Sequence, residues 1–288
     1  MVLLDGKLIS EQIKAEIKVE VESIVRRNGK VPHLAAVLVG DNPASEAYVR
    51  SKVRSCEQVG FKSTLIRRGA DITEAELLEI VRQLNDDKEI DGFIVQLPLP
   101  KHIDEMKVTL AIDYRKDVDG FHPVNFGKMA QGMDTFLPAT PYGIIEILER
   151  YKIQTAGKHC VVVGRSNIVG TPVSILMSRK GKDCTVTLTH SKTEDIASEI
   201  RRADIVIAAI GIPRFITADM VKPGAVVVDV GINRIEDAAA KNGNRLVGDV
   251  DFDHVAPKCS YITPVPGGIG LMTVTCLLLN TLKAASQE

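Results

Sequence analysis

A tyrosine and a lysine stand four residues apart, Tyr48 and Lys52, in the stretch "ASEAYVRSKVRSCEQVG". On a helix that spacing stacks both side chains on one face, one turn apart. An aromatic ring and an amine placed so can wall a pocket. Read alone, the pair is more simply a solvated surface pair. Gln96 closes an apolar run in "DGFIVQLPLP", where it reads as a satisfied polar residue. Asp117 and Asp119 lie in "KDVDGFHPVNFG" and read first as turn formers.

A second chemistry is written in "CVVVGRSNIVGTP". A strand delivers Gly164, and a helix is expected to start near Val169. This is the strand-turn-helix context of a dinucleotide site, with Gly164, Ser166 and Gly170 in place of the usual three glycines. Gly164 allows the tight turn and Gly170 a close backbone approach. Free N–H groups at the helix start can hold phosphate. An ordinary turn without a ligand is the alternative. The next strand ends in "TLTHSKT", which offers His190, Ser191 and Lys192 but no carboxylate. A ribose 2′-hydroxyl would want that carboxylate, whereas a 2′-phosphate suits Arg165, Ser191 and Lys192. The expected cofactor is therefore NADP. Gly211, Gly231 and Ile232 follow later strands and are expected near the nicotinamide, although each can be only a turn.

Alternating segments must position these residues. Apolar runs such as "HLAAVLVG", "KHCVVVG", "DIVIAAIG" and "GAVVVDVG" read as buried parallel strands. Amphipathic helices lie between them. Residues 7–27 have helical apolar spacing, Asn42 or Ser45 can cap the Tyr48 helix, and Gly60 can stop it. Thr73 and Glu76 form a capping box. "ITADMV" reads as a short helix, and "GIGLMTVTCLLLNTLKAA" as a buried final one. Pro138 and Pro141 interrupt the chain, with a bridging helix expected from about Tyr142 to Tyr151. The fold class is α/β: two α/β domains with a cleft between them, the second Rossmann-like. The expected boundaries are 1–140 completed by the helix 268–288, and 141–267. "VQLPLP" and "TPVPGG" are places for cis-prolines.

Bulk properties narrow the partners. Of 288 residues, 36 are basic and 37 acidic, a net charge of −1, which favours neither nucleic acid nor membrane. No 18-residue apolar run is present, and "MVLLDGKLIS" does not read as a secretory signal. Five scattered cysteines without a C-x-x-C pair read as buried thiols in a reducing cytoplasm, with no metal site.

"YVRSK", "DGFIVQLPLP", "KDVDGFHPVNFG", "VVVGRSNIVGTP" and "YITPVPGGIGLMTV" occur in order along nearly the whole chain. Together they resemble the bifunctional methylenetetrahydrofolate dehydrogenase/methenyltetrahydrofolate cyclohydrolase family. The resemblance implies oxidation of 5,10-methylenetetrahydrofolate with NADP and hydrolysis of the product to 10-formyltetrahydrofolate. It implies that Tyr48 packs on the folate, Lys52 is the catalytic lysine, Gln96 tunes it, and Asp119 binds the pterin. Pro266, Gly267, Gly268 and Gly270 would meet the folate. Gly164, Arg165, Ser166, Ser191 and Ile232 would meet NADP. A homodimer is also implied. Leu271 departs from the family's usual proline, which changes a wall of the folate pocket. A dehydrogenase of another small acid leaves "YVRSK" and "VQLPLP" idle. A decayed nucleotide-binding regulator would not retain Lys52, Gln96 and Asp119.

Overall fold

A computed structural model describes residues 1–27, 29–237 and 243–286. In chain order the strands are β1 (Val2–Leu3), β2 (His33–Val39), β3 (Lys62–Arg68), β4 (Gly92–Val95), β5 (His159–Val163), β6 (Thr185–Thr189), β7 (Ile205–Ala208), β8 (Val226–Asp229), β9 (Asn233–Glu236), β10 (Asn244–Val247) and β11 (Tyr261–Ile262). The helices are α1 (Gly6–Arg26), α2 (Pro43–Val59), α3 (Glu74–Asp86), α4 (Glu105–Ala111), α5 (Pro123–Ala130), α6 (Ala139–Arg150), α7 (Gly170–Ser178), α8 (Ile196–Arg202), α9 (Phe252–Val255) and α10 (Ile269–Ala285).

The chain divides into two compact units. One comprises Met1–Ser10 and Thr140–Thr273, the other Glu11–Ala139 and Val274–Glu288. The first contains a six-stranded parallel sheet, β1-β11-β8-β7-β5-β6, and the antiparallel β9–β10 hairpin. The second contains a three-stranded parallel sheet, β3-β2-β4. Residues 1–10 were expected in the first domain but join the six-stranded unit, because β1 pairs with β11. The final helix divides after Thr273 rather than belonging whole to one unit. The segment "ITADMV" makes only a 3-10 turn at Ala218–Met220. The helix expected from Tyr142 begins at Ala139, since Pro141 falls in its first turn, where a missing N–H is harmless. Helices α4 and α5 have no counterpart in the sequence reading.

The central strands are apolar on both faces because helices cover both. β4, β7 and β8 are buried throughout, and β2 everywhere but His33. Val37, Leu77, Val81 and Phe93 anchor one core, and Val161, Val206, Val227 and Ile262 the other. No helix among the described residues is long and apolar enough to cross a membrane.

Each sheet is fastened at its amino end by the same three residue types. His33 opens β2: its Nε2 meets Thr64 Oγ1 at 2.8 Å, its Nδ1 meets the Glu89 carbonyl, and its backbone N–H donates to Asp91 at 2.7 Å. His159 opens β5: its Nε2 meets Thr187 Oγ1 at 2.9 Å, its Nδ1 meets the Arg202 carbonyl, and its N–H donates to Asp204 at 2.8 Å. Lys30 pairs with Asp91 and Lys222 with Asp204. In both, the chain runs from the central strand to one neighbour and then crosses to the other. That makes a topological switch point, beside which ligands bind at the carboxyl ends.

Asp91 is 6% exposed and receives a charged partner as well as a backbone N–H. Asp91→Ala is expected to cost about 1.5–3 kcal/mol, the range for hydrogen bonds to charged groups. The midpoint of urea unfolding measures it; an unchanged midpoint would deny the fastening role.

Candidate functional site

Helix α2 follows β2 and starts cleanly. Asn42 Oδ1 accepts from the N–H groups of Ala44 and Ser45, Pro43 occupies the first turn, and Gly60 ends the helix at φ 83°. Its buried stripe is Ser45, Val49, Lys52, Ser55, Cys56 and Val59. Lys52 thus lies inside an apolar face, 6% exposed, and is no solvated partner of Tyr48. Tyr48, one turn earlier, is half-buried.

The lysine meets the end of β4. Its Nζ donates to Gln96 Oε1 at 3.2 Å. Gln96 Nε2 donates to the Leu97 carbonyl at 2.7 Å, which turns its amide oxygen towards the lysine. Gln96 N–H donates to the Val37 carbonyl, so the side chain stands at the carboxyl ends of β2 and β4. Burial holds the Lys52 pKa below its ordinary value, and Asp119 pulls the other way. Desolvation is the larger effect. Burial also raises the Tyr48 phenol.

Asp119 sits on a loop held by residues that the sequence reading did not single out for this task. Asp117, expected as a turn former, is buried and accepts from His122 N–H and Asn125 Nδ2. Thr135 Oγ1 donates in turn to Asn125. Asn280, on α10, donates to the carbonyls of Val118 and Leu137, both at 2.8 Å. Gly120 has φ 73°, and a Cβ there would stand 2.6 Å from the Leu137 carbonyl carbon. Only the paired spacing of Asp117 and Asp119 hinted at any of this.

In the six-stranded unit the turn after β5 reaches the switch point between β5 and β7. Gly164 has φ 113°, and a Cβ on it would lie 2.2 Å from the Ala209 carbonyl oxygen. A Cβ on Gly170 would lie 1.9 Å from the Gly164 carbonyl oxygen. Gly170 therefore serves the packing of α7 onto its own strand. The first N–H groups of the helix are not free, as expected, but capped: Ser166 Oγ accepts from Val169 and Gly170 at 3.2 and 3.4 Å. The open donors lie earlier. Among the described residues the N–H groups of Ser166, Asn167 and Ile168 have no hydrogen-bond partner. Consecutive open N–H groups in a turn can receive phosphate.

Arg165 and Ser191 are exposed beyond this turn, and Arg165 makes no ion pair among the described residues. No carboxylate ends β6. These residues suit a 2′-phosphate. Ile232 follows β8, 47% exposed. Gly231, expected beside the nicotinamide, leaves room for a carboxylate of the chain: its Cβ would lie 2.3 Å from Asp249 Oδ1.

In the same unit, Pro266, Gly267, Gly268 and Gly270 run into α10. The Val265–Pro266 peptide is cis, as is Leu97–Pro98. Gly267 has φ 106°, and a Cβ on Gly268 would stand 2.6 Å from the Pro264 carbonyl oxygen. Leu271 uses what a proline lacks, donating its N–H to the Gly268 carbonyl at 3.3 Å. All five cysteines are reduced and buried. No cluster of three His, Cys, Asp or Glu suited to a metal occurs among the described residues.

Comparison with known proteins accords with this geometry. The family description "tetrahydrofolate dehydrogenase/cyclohydrolase, catalytic domain" matches residues 4–119, and its "NAD(P)-binding domain" matches residues 138–288. The chain is 62% identical to the bifunctional protein FolD of Cytophaga hutchinsonii, over 99% of each. The crystal structure of the bifunctional enzyme FolD, methylenetetrahydrofolate dehydrogenase/cyclohydrolase, from Campylobacter jejuni superposes with TM-score 0.94 at 45% identity, covering 99% of both chains. That of Trypanosoma brucei methylenetetrahydrofolate dehydrogenase-cyclohydrolase, complexed with NADP and an inhibitor, gives TM-score 0.95 at 37% identity, covering 100% of this chain and 98% of that one.

The Lys52–Gln96 contact is directly testable. A carboxylate at position 96 would stabilise the ammonium, so Gln96→Glu should raise the Lys52 pKa. NMR titration of the labelled Nζ measures it; an unmoved or lower pKa would mean that Gln96 does not set the lysine's surroundings.

Proposed function

The chain belongs to the tetrahydrofolate dehydrogenase/cyclohydrolase family, and from that premise we propose how its residues divide two reactions. It oxidises 5,10-methylenetetrahydrofolate to the methenyl form with NADP, then hydrolyses that to 10-formyltetrahydrofolate. The observation that carries the division is a lysine buried against one neutral amide.

NADP, when bound, accepts the hydride. The chain's part in that step is alignment, since the folate nitrogen lone pair expels the hydride without a strong base. Gly164, Arg165, Ser166, Ser191 and Ile232 hold the cofactor. The open N–H groups of the β5–α7 turn would receive a phosphate of the cofactor, and Arg165 and Ser191 its 2′-phosphate. Tyr48 packs on the folate. Asp119 accepts from the pterin amino and ring nitrogens, and Pro266, Gly267, Gly268 and Gly270 present backbone to the folate.

The second step needs a proton taken from water and one delivered to the leaving ring nitrogen. Lys52 does both. Burial shifts its pKa downward, towards the neutral amine, and a cationic substrate would shift it further. The amine takes the proton as the water oxygen attacks the methenyl carbon. The resulting ammonium gives that proton to the ring nitrogen as the carbon–nitrogen bond breaks, and the remaining hydroxyl proton leaves to solvent as the formyl C=O forms. Gln96 holds the amine without pairing its charge. By the same resemblance the enzyme is a cytoplasmic homodimer.

Lys52→Met should abolish cyclohydrolase turnover while at least part of the hydride transfer survives. Methenyl absorbance would then rise and persist instead of decaying; equal loss of both activities in a folded, ligand-binding variant would refute the division. Arg165→Ala should raise KM for NADP more than KM for NAD. An unaltered NADP/NAD preference would remove the 2′-phosphate from Arg165.

A further inference from the structure

Two buried carboxylates in the six-stranded unit take no part in the chemistry described so far. Asp229 ends β8 and is 3% exposed; Asp249 follows β10 and is 0% exposed. Asp229 Oδ1 accepts from the N–H groups of Gly231 and Asp249, both at 2.9 Å, and its Oδ2 accepts from Val250 N–H at 2.9 Å. Asp249 Oδ2 accepts from the N–H groups of Ile210 and Gly211 at 2.8 and 2.9 Å. Its Oδ1 accepts from Asn233 Nδ2 at 2.9 Å. Each carboxylate fills space that a side chain would occupy. A Cβ on Gly248 would lie 1.8 Å from Asp229 Oδ2, and one on Gly231 2.3 Å from Asp249 Oδ1.

These bonds converge on one exposed residue. Ile232 stands between Gly231, held by Asp229, and Asn233, held by Asp249. Its backbone is fixed on both sides, yet its apolar side chain is 47% exposed. A side chain held in place from both sides can offer a preorganised wall to a flat ring. The Ile210–Gly211 segment, at the end of β7, is fastened to the same Asp249. Asp229 is pushed up to about 6 by burial, so it is ionised at neutral pH and accepts all three bonds.

We propose that Asp249, braced by Asp229, is a positioning residue for NADP, shaping the Ile210–Gly211 and Gly231–Asn233 segments to receive the nicotinamide end. The proposal deepens the functional reading and rests on the placement of Ile232 at the cofactor. Asp229 acts through backbone N–H groups, and Asp249 through the backbone of Ile210 and Gly211 and the side chain of Asn233.

Two steady-state measurements on the full chain test it. One is hydride transfer with NADP varied. The other is hydrolysis of methenyltetrahydrofolate supplied directly, with no NADP, as an internal control. Asp249→Asn and the milder Asn233→Ala should each raise KM for NADP roughly tenfold, the effect of losing a hydrogen bond to a charged group. Hydrolysis should change less than about twofold on the same scale. A folded Asn233→Ala variant whose KM for NADP is unchanged, or whose two activities fall in proportion, overturns the proposal. Ile232→Asp separates the two levels of the argument. If it leaves KM for NADP unchanged, the placement of Ile232 fails and the proposal with it. If it raises KM while Asn233→Ala does not, only the positioning claim fails.

Discussion

Lys52 carries an amine into an apolar stripe, and the cost of charging it there dictates its surroundings. A buried ammonium costs several kcal/mol in the absence of a compensating anion, so burial moves the Lys52 pKa downward. Val49 and Cys56 flank it on the same buried face, and burial raises the Cys56 thiol to about 12, so that thiol stays neutral as well. Gln96 is fixed in one orientation by the Leu97 carbonyl, so the lysine always meets an oxygen. Asp119 is only half-buried, and solvent weakens its pull. A fully buried carboxylate at that place would make a permanent ion pair and a poor base.

The same division of labour recurs in both units. Histidine, threonine and aspartate secure the amino ends of the sheets, where nothing reactive lies. The carboxyl ends are left to turns of unusual backbone, Gly164 in one unit and the Gln96–Pro98 segment in the other. Rigid strands stop there, and unpaired backbone donors become available to ligands. Fixing one end firmly lets the other carry irregular geometry without loosening the sheet.

What was legible in the sequence was local. Asn42, Gly60 and the Thr73–Glu76 box announce helix ends through contacts a few residues apart, and all are realised. The apolar runs announce buried strands for the same reason. The Tyr48–Lys52 pair was visible as geometry, but its burial was not, because that depends on the distant end of β4. Asn280 holds a loop 162 residues away, and Asp249 one 39 residues away, so neither has a local signature. The two-residue strands β1 and β11 are too short to show a period, so the pairing of β1 with the six-stranded sheet has no signature in the sequence. The spacing points to a close backbone approach at Gly170, and the backbone that approaches is the chain's own Gly164 carbonyl.

Burial alone does not make a group reactive, and the two kinds of buried charge in this chain show what does. Lys52 and Asp229 are almost equally hidden, at 6% and 3% exposure. Lys52 has one neutral acceptor, and its protonation is correspondingly easy to reverse. Asp229 has three N–H donors, which hold its carboxylate charged at neutral pH despite burial. A proton arriving on either oxygen of Asp229 would compete with the backbone N–H groups bonded there, and so weaken the loop they anchor. A proton arriving on Lys52 disturbs little beyond the amine. Few partners suit a group that must exchange protons within each turnover. Many partners suit one that must keep a loop in place.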